Sequence, residues 1–297
     1  MHSNFRGVFA ALSTPFVRDK ASPKKLKENI QKYNKIDLAG YVILGSTGES
    51  VYLSDEESEK LVQAAKESAS QGKKIIVGTA RESTQATLEF TNRMAGLGID
   101  AALIRTPSYY KSLLDRKTLL THYLTVAEKS KVPVIIYNIP RFTGISVDPP
   151  LLIELSKHHN ITGIKDSSGN LPSLGEAIPH IPPQFSILLG HGGLFLQGLL
   201  LGAQGGILAL ASVAPAHCVK LYNLFSEKKL KEASKLQLEL IPLNKALIQT
   251  YGIPGIKYAL NLLGYSGGPP RPPLLPLGDK GKEDIKILLN DLGLLED

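Results

Sequence analysis

The chain has 297 residues, 43% of them hydrophobic, which supplies one large core and fits the usual length of a single barrel domain. Its 27 Gly and 19 Pro are spread without low-complexity tracts, so they mark turns rather than disorder. The formal net charge of +7 comes from lysines standing singly or in pairs, as in Lys24-Lys25, Lys73-Lys74 and Lys228-Lys229; no basic run is interleaved with aromatics, which argues against a nucleic-acid partner and leaves charge for a basic mouth facing anionic substrates.

The N-terminal segment through Phe16 has too short an apolar run for a signal peptide and meets Pro15 directly, so Val8–Leu12 reads as a first strand. Leu26, Ile30 and Tyr33 then share one helical stripe. Tyr41–Leu44 is a second apolar run, followed by Gly45-Ser46-Thr47-Gly48-Glu49 and by Ser54-Asp55-Glu56-Glu57, a cap with early acidic residues that opens a helix carrying Leu61, Val62 and Ala65. Ile75–Val77 and Ala101–Ile104 continue the series, the latter leading into Thr106-Pro107-Ser108-Tyr109-Tyr110. A stripe of Leu119, Leu120, Tyr123 and Val126 separates these from Val132–Tyr137, and Asp148-Pro149 starts the next helix. Ile161–Ile164, Ile187–Leu189 and Gly206–Leu210 complete the runs. Beyond about Ser226 only helical patterns remain, at Leu230–Ile248, Ile253–Leu263 and Glu283–Leu292, with the Pro/Gly-rich stretch Gly267–Pro276 between the last two.

Continuous rather than alternating apolar runs mark strands covered on both faces of a parallel sheet. Eight such runs at regular spacing, with no Gly-rich dinucleotide fingerprint after the first, favour a closed (β/α)8 TIM barrel over an open doubly wound sheet. The expected organisation is an α/β barrel over residues 1–226 and a C-terminal helical extension over residues 227–297. Cys218 is the single cysteine, so no intrachain disulfide forms, and it reads as structural. No stretch is long and apolar enough to span a membrane, and the expected location is cytoplasmic.

In such barrels the site lies at the C-terminal strand ends. Lys165 follows the sixth run, where an amine shielded from water can attack a ketone; taken alone, a solvated strand-end lysine is the plainer reading. The Gly45–Glu49 segment offers N–H groups and two hydroxyls to a carboxylate, or is an ordinary capped turn; it is not a P-loop, lacking the Gly-Lys-Ser/Thr. Tyr137 ends the fifth run, where a phenol can shuttle protons or simply pack its ring. His122, His158, His159 and His217 lack metal-ligand spacing, so no metal is expected, while His191 either touches substrate or lies at the rim.

Together Gly45-Ser46-Thr47-Gly48-Glu49, Tyr137-Asn138-Ile139-Pro140 and Gly163-Ile164-Lys165-Asp166 resemble, in order and spacing, the dihydrodipicolinate synthase / N-acetylneuraminate lyase family, from Gly7 to about Leu277. The resemblance implies a class I pyruvate aldolase in which Lys165 forms an imine with a small 2-oxo acid and no separate cofactor is needed. It gives Tyr137 the general acid/base role and gives Ser46 and Thr47 the pyruvate carboxylate, with Ser46 keeping the relay hydroxyl where many synthases have Thr. It makes Tyr109 the tyrosine lent across a subunit interface to a proton relay, places Gly190 and Ile207 on the pocket wall, and implies a homotetramer arranged as a dimer of dimers.

The branch turns on Pro140-Arg141-Phe142-Thr143-Gly144, since lysine-pathway synthases carry Arg at the position of Phe142 to bind the aldehyde's carboxylate. Here Arg141 stands one place early, and His191-Gly192-Gly193 replaces the acidic residues of sialic-acid lyases. Ser167, together with Glu82-Ser83-Thr84-Gln85-Ala86-Thr87 and Tyr251-Gly252-Ile253-Pro254-Gly255, looks most like 4-hydroxy-2-oxoglutarate aldolases, with Ser167 and Arg141 as substrate contacts. The expected reaction is retro-aldol cleavage to pyruvate and an aldehyde such as glyoxylate. The runner-up is 4-hydroxy-tetrahydrodipicolinate synthase, followed by a sugar-acid aldolase; a non-catalytic pyruvate-binding protein is the alternative of another class.

Overall fold

Apolar residues on both sides of a strand can be satisfied only if both faces are covered, and each of the eight runs is such a strand. The computed structural model describes residues 5–295. Its strands are β1 (Gly7–Ala11), β2 (Gly40–Ile43), β3 (Lys74–Gly78), β4 (Ala101–Arg105), β5 (Val134–Asn138), β6 (Ile161–Asp166), β7 (Ser186–Leu189) and β8 (Gly205–Leu208). They form a closed barrel in chain order, β1 lying between β2 and β8, and helices alternate with them as in a (β/α)8 fold.

Residues group into two compact units: Ile76–Gly206 with the chain up to Gly7, and Val8–Ile75 with the chain from Ile207 onward. In the first, β5 and β6 pair so that Tyr137 stands opposite Lys165 and Asn138 opposite Asp166. Its helices start where side-chain oxygens meet the free N–H groups of a first turn: Ser83, Asp115 and Asp148 cap Thr84–Ala95, Arg116–Lys129 and Pro149–Leu155. In the stripe Leu119, Leu120, Tyr123 and Val126, Leu120 is only half-buried.

In the second unit, Leu26, Ile30 and Tyr33 are buried on Pro23–Tyr33, and the Tyr33 hydroxyl donates to Ser212 O at 2.5 Å. Asp55–Ser68 begins with a capping box: Glu57 N donates to Ser54 Oγ and Ser54 N donates to the Glu57 carboxylate. The chain after residue 226 contributes the helices Leu230–Lys245, Gly252–Leu262 and Asp279–Asp291. Cys218 is buried on Pro215–Ser226, and burial pushes its thiol up from the ordinary range.

Strand ends differ from the sequence reading for local reasons. Leu44 has φ 59°, which stops β2 at Ile43, and Leu210 opens a short helix, Leu210–Val213. Val132 lies outside β5, whose first residue follows Pro133, a residue with no N–H for the ladder. The sixth run extends through Lys165 to Asp166, so Lys165 is the penultimate residue of its strand. An unforeseen hairpin, Phe16–Val17 with Lys20–Ala21, turns through Arg18 and Asp19 at φ 48° and 59°; neither is the Gly or Asn that usually announces such a turn. Ile248 belongs to a π-helical turn, Ala246–Thr250, that ends the long C-terminal helix.

Glu57 ties several of these pieces together. Its carboxylate receives both terminal nitrogens of Arg271, each at 2.7 Å, and Ala21 N at 3.2 Å. The Arg271 hydrogen bonds bring this carboxyl down from 4.5 to about 2, against the opposing effect of burial. A carboxyl lowered in the fold contributes stability above its unfolded value, and the contribution is lost as pH falls through the folded one. Glu57→Gln should therefore destabilise the protein by about 1.5–3 kcal/mol at pH 7. In thermal melts the gap between variant and parent should narrow as pH drops from 4.5 toward 2; a gap that does not change with pH removes the ion pair from this account.

Candidate active site

Alternation along β6 puts Lys165 and Asp166 on opposite faces of the barrel wall. Lys165 is buried, with Nζ 4.1 Å from the centroid of the Tyr137 ring, and Tyr137 is buried beside it. Asp166, the carboxylate next in sequence, is engaged elsewhere: it accepts from Asn138 Nδ2 at 2.6 Å, Ser168 N at 3.1 Å and Ser168 Oγ at 2.7 Å. The lysine thus faces an aromatic ring rather than this carboxylate, an arrangement suited to amine chemistry.

Asn138, quoted in the motif but given no role there, is a hub. Its Oδ1 accepts Val147 N at 3.0 Å, which closes the loop after β5. Within that loop Pro140–Thr143 is a single helical turn ended by Gly144 at φ 69°. The one-place offset of Arg141 therefore rotates its side chain by only about 100° relative to the position of Phe142, where a strand would have turned it to the opposite face. Arg141 and Phe142 are both exposed, with the guanidinium carbon 5.7 Å from the Phe142 ring centroid. Lys111, which the sequence reading passed over, runs along Gly144: a Cβ there would lie 2.9 Å from Lys111 Nζ.

Ser167 and Gly190 are brought together. Gly190 N donates to Asp166 O at 2.5 Å, and a Cβ at Gly190 would fall 1.8 Å from Ser167 Oγ, so only glycine leaves that hydroxyl its place. His191 follows, half-buried; its Nδ1 is buried without a hydrogen-bond partner, and burial lowers its pKa. Tyr109, by contrast, is 75% exposed and packs edge-on against Tyr110 at 4.9 Å. Its loop is held by Glu82, which accepts Ser108 N at 2.8 Å, Tyr109 N at 3.0 Å and Arg105 Nη2 at 2.8 Å. Burial pushes the Glu82 carboxyl up, but these donors outweigh it and bring it to about 2.

In the other unit, Ser46–Gly48 is one turn of 3-10 helix, with Thr47 buried and Ser46 half-buried. Gly48 O accepts Thr14 Oγ1 at 2.7 Å, which fixes the turn against the end of β1. Ile207 lies in β8 with no exposure. Among the described residues no cluster of three or more His, Cys, Asp or Glu is placed to hold a metal, and no helix is long and apolar enough to cross a membrane.

The sequence pattern of the dihydrodipicolinate synthetase family matches residues 4–292. A 4-hydroxy-tetrahydrodipicolinate synthase of Methanothrix thermoacetophila is 35% identical over 291 residues, 97% of each chain. One from Thermoanaerobacter sp. strain X514 is 33% identical over 99% of this chain and 98% of its own. Among solved structures, the dihydrodipicolinate synthase of Aquifex aeolicus superposes with a TM-score of 0.92 at 30% identity, covering 99% of this chain and 100% of that one. That of Thermotoga maritima gives 0.93 at 29% identity, covering 98% and 100%. Matches of this length on a closed barrel with a buried strand lysine place the chain in the dihydrodipicolinate synthetase family, among the carbon–carbon lyases of class I aldolase type.

Proposed function

We propose that the chain joins a pyruvate-derived enamine to an aldehyde, or cleaves the corresponding product, through an imine on Lys165. The observation that carries this is the buried amine of Lys165 over the Tyr137 ring, with Asp166 turned to other partners. Nζ adds to the ketone carbon, the carbinolamine oxygen leaves as water, and an iminium remains. Tyr137 passes the protons that these steps require. Loss of a C3 proton gives the enamine, whose C3 bonds to the aldehyde carbon while the aldehyde oxygen takes a proton. Water then hydrolyses the imine and frees the lysine. In reverse, the electrons of the breaking C–C bond flow into the iminium, and an aldehyde departs. The resemblance gives Ser46 and Thr47 the pyruvate carboxylate, adds Ser46 to the proton relay, and has Tyr109 serve a neighbouring copy in a homotetramer.

The names of the relatives support condensation of pyruvate with aspartate semialdehyde, as in 4-hydroxy-tetrahydrodipicolinate synthases. A second reading, cleavage of 4-hydroxy-2-oxoglutarate, is favoured by Ser167 held against Gly190 and by Phe142 where synthases carry Arg. Both substrates have a distal carboxylate that needs a cation, and Arg141 and Lys111 flank the turn at Gly144.

Borohydride added with pyruvate should inactivate the protein and leave a reduced pyruvyl group on the peptide containing Lys165; labelling elsewhere, or none, defeats the imine. Tyr137→Phe should keep its melting temperature yet lose about 10²–10⁴-fold in turnover, the usual contribution of a general acid/base. Turnover near the parent level would reduce Tyr137 to a packing residue. Condensation should exceed 4-hydroxy-2-oxoglutarate cleavage on purified protein, and the opposite order would transfer the assignment to the aldolase. In either reaction Arg141→Ala should raise KM for the distal-carboxylate substrate more than for pyruvate; equal effects would exclude Arg141 as its reader.

A further inference from the structure

Glu49 ends the Gly45–Glu49 turn at φ 55° and ψ 34°, between the single-turn helices Ser46–Gly48 and Ser50–Tyr52. Glutamate adopts this left-handed conformation at a cost that glycine avoids, so its side chain has to supply the reason for its presence. Glu49 is 2% exposed; Oε2 accepts Arg271 N at 2.9 Å, and Oε1 lies 2.8 Å from Lys257 Nζ in an ion pair without hydrogen-bond alignment. Lys257 is 1% exposed and donates to Thr14 O at 2.7 Å and Pro269 O at 2.9 Å. Phe16 lies against both cations, its ring centroid 4.4 Å from Lys257 Nζ and 4.4 Å from the Arg271 guanidinium carbon.

The effect on the turn is direct. Thr14, whose carbonyl Lys257 holds, donates Oγ1 to Gly48 O. Glu49, the residue after Gly48, is held by Lys257 itself. Tyr52 O, just beyond, accepts Arg271 Nη1 at 2.7 Å. Ser46 and Thr47 are therefore fastened from behind by residues of the C-terminal chain. Lys257, enclosed by oxygens from Thr14, Glu49 and Pro269, is closed to a substrate and can act only through geometry.

We propose that Lys257 is a positioning residue for substrate binding: through Thr14 and Glu49 it fixes the turn whose N–H groups and hydroxyls receive the carboxylate of the 2-oxo acid. This rests on the reading of Ser46 and Thr47 as the carboxylate site. Imine trapping by borohydride on the full chain, titrated with pyruvate and separately with methyl pyruvate, which lacks the carboxylate charge, separates the two ideas. Lys257→Met should raise the half-saturating pyruvate concentration by about tenfold or more, as misplaced binding groups do, and leave that for methyl pyruvate within about twofold. Glu49→Gln should shift pyruvate in the same direction by less. Thermal melts run alongside show that the variants are folded.

In folded variants, an unchanged pyruvate titration, or equal rises for both ketones, overturns the proposal, because a general loss of structure treats both alike. If Lys257→Met does not fold, Glu49→Gln decides by the same criterion. If neither folds, the pair is a folding element and the proposal falls. Parent protein that traps both ketones equally, or Thr47→Val without effect on pyruvate, defeats the carboxylate site itself and the inference with it.

Discussion

Parallel strands that close into a ring approach their neighbours too closely at some positions for any side chain, and three glycines meet that demand. A Cβ at Gly40 would lie 2.0 Å from Lys74 O, one at Gly163 2.5 Å from Ser186 O, and one at Gly205 2.0 Å from Gly7 O. These contacts join successive strands near the ends where they begin, and so they set register. Register in turn decides chemistry: with Gly163 paired to Ser186 and Ile135, Lys165 falls opposite Tyr137 and Asp166 opposite Asn138. A slip of one residue would exchange the amine and the carboxylate between the two faces of β6.

The two buried lysines of the described chain answer to different physics. Lys257 has a carboxylate at 2.8 Å and two carbonyls, and an ion pair withdrawn from water in this way contributes little net stability yet costs about 3–5 kcal/mol when one partner is removed. Lys165 has instead a ring face and a hydrogen-bonded neighbour on the far side of the strand. The first arrangement holds a backbone in place; the second is the one that the proposed imine chemistry requires. Burial alone does not tell them apart, because both side chains are nearly inaccessible.

Most of the barrel could be read from the sequence, because fully covered strands leave unbroken apolar runs and capped helices leave Ser or Asp at their starts. The placement of Lys165 and Tyr137 on adjacent strands was legible for the same reason, each lying near the end of a run, while the roles proposed for them came from the family resemblance. Lys257 was not: it sits alone in an amphipathic helix, and its partners Thr14 and Glu49 are remote in sequence. Glu82 was read only as part of a segment, and its anchoring role was not legible because it holds the N–H groups of Ser108 and Tyr109, which have no side-chain signature. The direction of Arg141 was not legible from its one-place offset alone; Pro140 at the first helical position and Gly144 after the last are the local marks of the short helical turn that sets it.

The left-handed backbone at Glu49 also narrows what evolution or design can place there. Glycine would relax the dihedral angles but abandon Lys257 to a pocket with no counter-charge. Asparagine tolerates the conformation and reaches neither the charge nor the distance. Aspartate keeps the charge and suits the backbone better, yet its carboxylate stops one methylene short of an ammonium that is already anchored by two carbonyls. Backbone ease and side-chain reach pull this position in opposite directions, and glutamate is the residue that yields on the first to satisfy the second.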